Sequence, residues 1–189
     1  MSCSLVFYTL VALWVGLEFW LGRRRRSGGG DASRDDGTLR LLHRVIGASV
    51  LVAVLAAYTG WLRWPQPWQS VLFWTGIALM AGGLLLRWIS VRTLARWFTV
   101  DVAVRDDQRL IQHGPYRWLR HPSYTGALML FLGMGLALGN VLSLVVLMLP
   151  VPLAFLRRIH VEEAALAAHF GEAWTAHARR TWRLVPFVW

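Results

Sequence analysis

Long apolar runs separated by Arg clusters limit what this chain can become more than any other feature. About five stretches approach the roughly 20 residues that a helix needs to cross a bilayer. They run from about Ser4 to Leu21, Leu41 to Leu62, Val71 to Ile89, Pro122 to Leu138, and from the Gly139-Asn140 turn to about Leu156. Lipid offers the backbone no hydrogen bonds, so such runs fold as helices. The expected fold is therefore all-α: a polytopic membrane protein with about five transmembrane helices, a polar cytoplasmic loop and an amphipathic C-terminal helix from Arg157 onward. Residues 1–66 read as an N-terminal hairpin with an Arg-rich loop, and residues 67–189 as the core.

Composition narrows the class. Of 189 residues, 56% are hydrophobic and the formal net charge is +10, with Arg supplying all 20 basic residues. A basic excess can signal nucleic acid, but these Arg residues sit at span ends, where they set topology and meet anionic lipid. Nucleic acid is not expected as a partner; membrane lipids are. The lone Cys3 excludes an intramolecular disulfide. The first apolar run carries Arg23 to Arg26 after it and no positive charge before it, so it reads as a retained span and not a cleaved signal. The Arg distribution places the N-terminus outside and the C-terminus in the cytoplasm. The absence of Lys points to a GC-rich prokaryote and its plasma membrane. The loop from Ser27 to Gly37 reads as a flexible linker.

Chemistry concentrates in two places. The first is the run from Gln112 to Gly126, which gathers Arg, His, Tyr, Gly and Pro between apolar segments. Polar clusters at such boundaries usually handle a polar ligand. Gly114-Pro115 is a turn signal, and Pro122 suits the first turn of a helix, whose start attracts an anion. The second place is the tail. Ile159, Leu166, Phe170 and Trp174 share one helical face, and Glu163 lies on that stripe. A carboxylate there is costly without a partner. Glu162 stands four residues after Arg158, so a helical ion pair is the bland account. Gly171 interrupts the helix. Elsewhere, Glu18 is expected to snorkel or to pair with Arg44, His43 and Arg44 to sit at the headgroups, and Pro150 and Pro152 to kink or open the fifth span. No metal site is expected.

The runs Phe98-Thr99-Val100, Gly114-Pro115-Tyr116-Arg117 and Arg120-His121-Pro122-Ser123-Tyr124-Thr125-Gly126 resemble the isoprenylcysteine carboxyl methyltransferase family. So do Arg158-Ile159-His160-Val161-Glu162-Glu163, Phe170-Gly171-Glu172 and the close Arg180-Thr181-Trp182-Arg183-Leu184-Val185-Pro186. The resemblance covers roughly Arg87 to Pro186. It implies an integral membrane enzyme that takes S-adenosylmethionine on the cytoplasmic face and a prenylated or other lipophilic acceptor sideways from the bilayer, residues 67–189 then forming the methyltransferase core. Gln112, His113, Gly114, Tyr116, Arg120, His121, Pro122 and Tyr124 match the cofactor loop, and Glu162 and Glu163 the tail carboxylates. Arg158 and Glu163 are the catalytic candidates. Trp174 and His177 stand where family members often carry Tyr.

A carboxylate acceptor is already ionised at neutral pH, with a pKa of roughly 3.5. It needs a cation to orient it and no base; Arg158 is the candidate. An amine or thiol acceptor favours a base, for which His113, His121 and His160 are open. Phospholipid N-methyltransfer, small-thiol S-methyltransfer and an NADPH-dependent sterol-type reductase share parts of the pattern, and a non-catalytic scaffold leaves the polar loop without a purpose. Two neighbouring carboxylates suit a sulfonium better than an extra phosphate.

Overall fold

The computed structural model describes residues 3–24, 32–33, 37–104 and 107–187. Arg25, Arg26 and the Ser27–Gly37 loop, apart from Ala32, Ser33 and Gly37, lie outside the described residues. Seven helices follow in order: α1 (Cys3–Arg24), α2 (Thr38–Tyr58), α3 (Trp68–Leu94), α4 (Pro122–Ala137), α5 (Val141–Met148), α6 (Pro150–Phe170) and α7 (Glu172–Ala178). Two-residue strands β1 (Ala32–Ser33) and β2 (Ala103–Val104) pair antiparallel.

Among the described residues, four helical stretches are long and apolar enough to cross a membrane: Ser4–Arg23, Thr38–Tyr58, Trp68–Trp97 and Val141–Phe170. The fourth expected span, α4, is shorter. Its 16 residues extend about 24 Å at 1.5 Å each, less than the roughly 30 Å hydrocarbon layer. Both ends are fixed by local chemistry. Pro122 stands at its first turn, and Gly139 turns the chain at φ 74°.

α4 is held by close backbone contact with α3. Gly76 faces Gly133, and Gly83 faces Gly126, an antiparallel register with one glycine pair every seven residues. A Cβ on Gly126 would stand 2.6 Å from the Gly83 carbonyl oxygen, and one on Gly76 2.5 Å from that of Gly133. Lipid gives helices no hydrophobic reason to associate, so small residues that bring backbones together take over that task. Met80, Leu130, Phe131, Met134, Leu147, Val151 and Phe155 fill the core around this seam.

Two of the contacts that hold α1 on the bundle are directional. Trp14 meets Phe131 edge-on at 5.4 Å. Glu18 forms a two-pronged ion pair with Arg87 of α3, at 2.6 and 2.8 Å. This corrects the expected pairing of Glu18 with Arg44: the true partner lies 69 residues away, beyond the reach of local spacing. Arg87 also donates to Ser123 Oγ at 2.8 Å, joining α1, α3 and α4.

The fifth span breaks at Leu149, and Pro150 begins α6, so the prolines mark a junction between two helices. α6 continues past Arg157 as the amphipathic tail. Gly171, at φ 54°, turns it into α7. At the opposite end of the bundle from this tail, Asn140 caps α5 by accepting from Ser143 N at 3.1 Å and donates to the Ala56 and Trp61 carbonyls. Ser143 Oγ donates to the Ala53 carbonyl at 2.6 Å.

Candidate functional site

The loop before α4 and the tail after α6 meet. The C-terminal strand-like segment closes on the loop through backbone bonds: Arg120 N donates to Trp182 O at 2.8 Å, His121 N to Arg183 O at 3.2 Å, and Trp182 N to Trp118 O at 3.0 Å. Thr125 Oγ1 adds a bond to Leu184 O at 2.7 Å. Residues about 60 positions apart thereby frame the same space.

Side chains complete the joint. Glu163 accepts from Arg120 Nη1 at 2.9 Å and from Arg183 at 3.0 Å, and lies 3.2 Å from His121 Nε2. The stripe carboxylate therefore has the partners its burial requires. Glu162 accepts from the Tyr124 hydroxyl at 2.6 Å, while that hydroxyl accepts from Arg158 Nε at 2.9 Å. Tyr124 thus bridges the pair that helical spacing alone would have joined directly. The His121 ring stacks on Tyr124 at 5.5 Å, with 10° between planes.

These residues border an open cleft. Tyr116, Arg120, His121, Tyr124, Arg158 and Glu162, all singled out in the sequence, line it. Gln112 and His113 are exposed and, with Gly114, lie outside the lining. Pro122 and Glu163 are packed behind it. Glu163 therefore acts on the cleft through Arg120 and His121, not by facing it. Sequence reasoning missed a second wall, formed by Trp97, Phe98, Thr99, Asp101 and Gln108 to Ile111. The Phe98-Thr99-Val100 run was the available signal for it. Trp174 and His177 line the third side.

Electrostatics set the character of the cleft. Burial, then the Glu162 carboxylate, pushes the Tyr116 phenol well above its ordinary value despite Arg87, so it is neutral. Burial lowers Arg120, and Arg183 adds to this while Glu163 opposes it. Arg120 Nε is buried with no hydrogen-bond partner. An orphaned N–H on a guanidinium is expensive. Burial, followed by the Arg120 charge, lowers His177.

A second cavity, of about 400 Å³, opens between α1, α2 and the core helices. Trp14, Val15, Phe19, Leu42, Ile46, Ala127, Phe131 and Phe155 give it a largely apolar wall, and Glu18, His43 and Arg87 a polar end. It shares Phe98, Thr99, Tyr124 and Arg158 with the cleft. A polar, charged cleft and an apolar cavity suited to a hydrocarbon chain therefore abut at one buried guanidinium, that of Arg158, 2% exposed.

A helical membrane protein whose polar cleft joins a largely apolar cavity is the class that this fold and site define. Comparison with known proteins agrees. Residues 71–173 match the family model described as phospholipid methyltransferase. The protein-S-isoprenylcysteine O-methyltransferase B of Arabidopsis thaliana is 30% identical over 153 residues, covering 78% of this chain and 77% of the relative. The probable protein-S-isoprenylcysteine O-methyltransferase of Oryza sativa subsp. indica is 33% identical over 117 residues, 61% of each chain. The solved eukaryotic intramembrane Ras methyltransferase, an isoprenylcysteine carboxyl methyltransferase, superposes with a TM-score of 0.62 at 26% identity, over 77% of this chain and 52% of that one. The chain belongs to the phospholipid methyltransferase family and, within the likeness these relatives define, to the isoprenylcysteine O-methyltransferases. It spans about 61% of the rice relative's length and about half of the solved enzyme's.

Proposed function

We propose that this chain is an integral membrane methyltransferase that moves the methyl group of S-adenosylmethionine to the carboxylate of a lipid-tailed, isoprenylcysteine-like acceptor. One observation carries the reading: the polar cleft and the apolar cavity share Arg158 and Tyr124, so a cofactor and a lipid end would meet at a fixed cation. In this reading the cleft faces the cytoplasm of a prokaryotic plasma membrane. The clustering of Arg at that end of the bundle supports the orientation, and the use of Arg to the exclusion of Lys supports the origin.

The residues present fit the donor. Arg120, with its orphaned Nε, suits the donor's carboxylate. Glu162, whose side chain is 31% exposed, suits its cationic groups. Trp97, Phe98, Tyr116 and Trp174 offer flat faces for the purine. When bound, the donor supplies the electrophilic methyl carbon. The protein's part is to align and to exclude water. Arg158 orients the acceptor carboxylate, which is ionised at neutral pH and needs no base. The apolar cavity holds the acceptor's hydrocarbon and gives it lateral access from the bilayer. Glu163 holds Arg120 and His121 in place.

Binding of S-adenosylhomocysteine against NADPH to the purified protein, by calorimetry, tests the donor. Labelled-methyl transfer to a prenylcysteine analogue, with phosphatidylethanolamine as the competing acceptor, tests the chemistry. Binding of NADPH alone would end the methyltransferase reading, and transfer to the amine alone would replace its acceptor.

A further inference from the structure

Arg158 is held from three directions. Its Nε donates to Tyr124 of α4 at 2.9 Å, its Nη2 to the Val100 carbonyl, and its Nη1 to Thr38 Oγ1 of α2 at 3.2 Å. The third contact spans 120 residues of sequence. Thr38 is itself 3% exposed, at the first residue of α2. It lies outside residues 71–173, where the family model matches.

A guanidinium carries its five N–H donors in one rigid plane. Two contact points leave that plane free to tilt about the line joining them. A third, off that line, fixes it, and with it the direction from which a carboxylate must approach for a two-pronged contact. Tyr124 also serves Glu162, so its hydroxyl answers to the cleft as well as to Arg158. Val100 offers a carbonyl that any residue would supply. Thr38 brings a side-chain contact from the N-terminal hairpin.

We propose that Thr38 is a positioning residue for the acceptor: its hydroxyl sets the guanidinium plane of Arg158, so that the N-terminal hairpin completes the site from outside the matched family segment. The inference rests on the reading that Arg158 orients an acceptor carboxylate. Val in place of Thr keeps the shape and removes the acceptor oxygen. Ser keeps the oxygen and removes the methyl. The pair separates orientation from packing.

The test uses the full chain in detergent with S-adenosylhomocysteine bound. Affinities for a prenylcysteine analogue and for its carboxamide are measured on wild type, Thr38→Val and Thr38→Ser, together with kcat and KM for transfer. The expected result is a wild-type preference for the carboxylate that falls about tenfold in Thr38→Val, with kcat falling by a similar factor. Affinity for S-adenosylhomocysteine is unchanged, and Thr38→Ser retains both properties. If Thr38→Val keeps the full preference and kcat, Thr38 has no such role and the proposed function stands. If Thr38→Ser falls as far as Thr38→Val, packing of the methyl is the cause and the inference fails. If wild type does not distinguish carboxylate from carboxamide, Arg158 does not orient the acceptor, and the proposed role of Arg158 fails together with that of Thr38. Should Thr38→Val not fold, Thr38→Ala against Thr38→Ser makes the same comparison.

Discussion

The two ends of the helix bundle hold buried polar side chains in opposite ways. At the Asn140 end, side chains bond to backbone: Asn140 to Ala56, Trp61 and Ser143, and Ser143 to Ala53. At the cleft end a few side chains also reach backbone, as Thr125 and Arg158 do, but most bonds join side chain to side chain and most of these carry charge: Arg120, Arg183 and His121 around Glu163, Tyr124 and Arg158 beside Glu162. Each end leaves one buried donor without a partner among the described residues, Trp64 Nε1 and Arg120 Nε. The indole is neutral and loses little. The guanidinium borders an open cleft. Polar groups that close on backbone hold helices together, whereas a charged network with a donor to spare has capacity for a ligand.

That contrast can be broken most severely at Arg158. Arg158→Ala should lower turnover by about 10²–10³-fold, the scale of losing one preorganised charge-stabilising donor, while S-adenosylhomocysteine still binds. Equal loss of binding in calorimetry would move Arg158 into the cofactor site. Glu163→Ala comes next. It strips the shared carboxylate from Arg120, Arg183 and His121, and leaving buried charge uncompensated costs about 3 kcal/mol. Thermal unfolding in detergent should show that loss together with weaker S-adenosylhomocysteine binding. Unchanged unfolding would mean that the network is solvated and not structural.

Much of this end was legible in the sequence. The Arg120-to-Gly126 run and the Arg158-to-Glu163 run carry their own spacing, and the cost of placing Glu163 on an apolar stripe demands a partner. Physics sets the limit where partners are distant. Glu18 was read against Arg44, on the next helix, but it meets Arg87, because α1 packs against α3, a tertiary contact that local spacing does not show. Helical spacing suggested Arg158 with Glu162; Tyr124 stands between them, since α4 delivers a hydroxyl that a single helix cannot foresee. The expected fourth span, Pro122 to Leu138, was already short of a bilayer's roughly 20 residues, and α4 ends one residue earlier, at Ala137.

The opposite end supplies the control. Asn140→Ala removes a cap and two bonds to carbonyls, a loss of about 2 kcal/mol, and it should leave transfer kinetics intact once the protein is folded. A fall in kcat there would show that the ends are coupled. The glycine seam sits between them. Gly126→Ala places a methyl 2.6 Å from the Gly83 carbonyl, so α3 and α4 must separate, at about 1–3 kcal/mol. Because Tyr124 and Ser123 ride on the first turn of α4, cofactor affinity should fall with stability, unlike in Asn140→Ala.

The smallest effect belongs to His177, where the cleft end tolerates a neutral base among cations. Burial, and then the charge of Arg120, lowers its pKa from the ordinary 6.5. Folding therefore suppresses protonation, and the unfolded chain binds the extra proton as pH falls. The contribution of His177 to stability is fully present above about pH 6.5 and is lost as pH drops through the depressed folded value. His177→Gln cannot titrate in that range, so subtracting its unfolding profile from that of wild type isolates the histidine. The difference should be flat above pH 6.5 and should turn against wild type below it. Parallel profiles across the whole range would mean that His177 reaches solvent freely, and that the third wall of the cleft is open where Trp174 and His177 are drawn closing it.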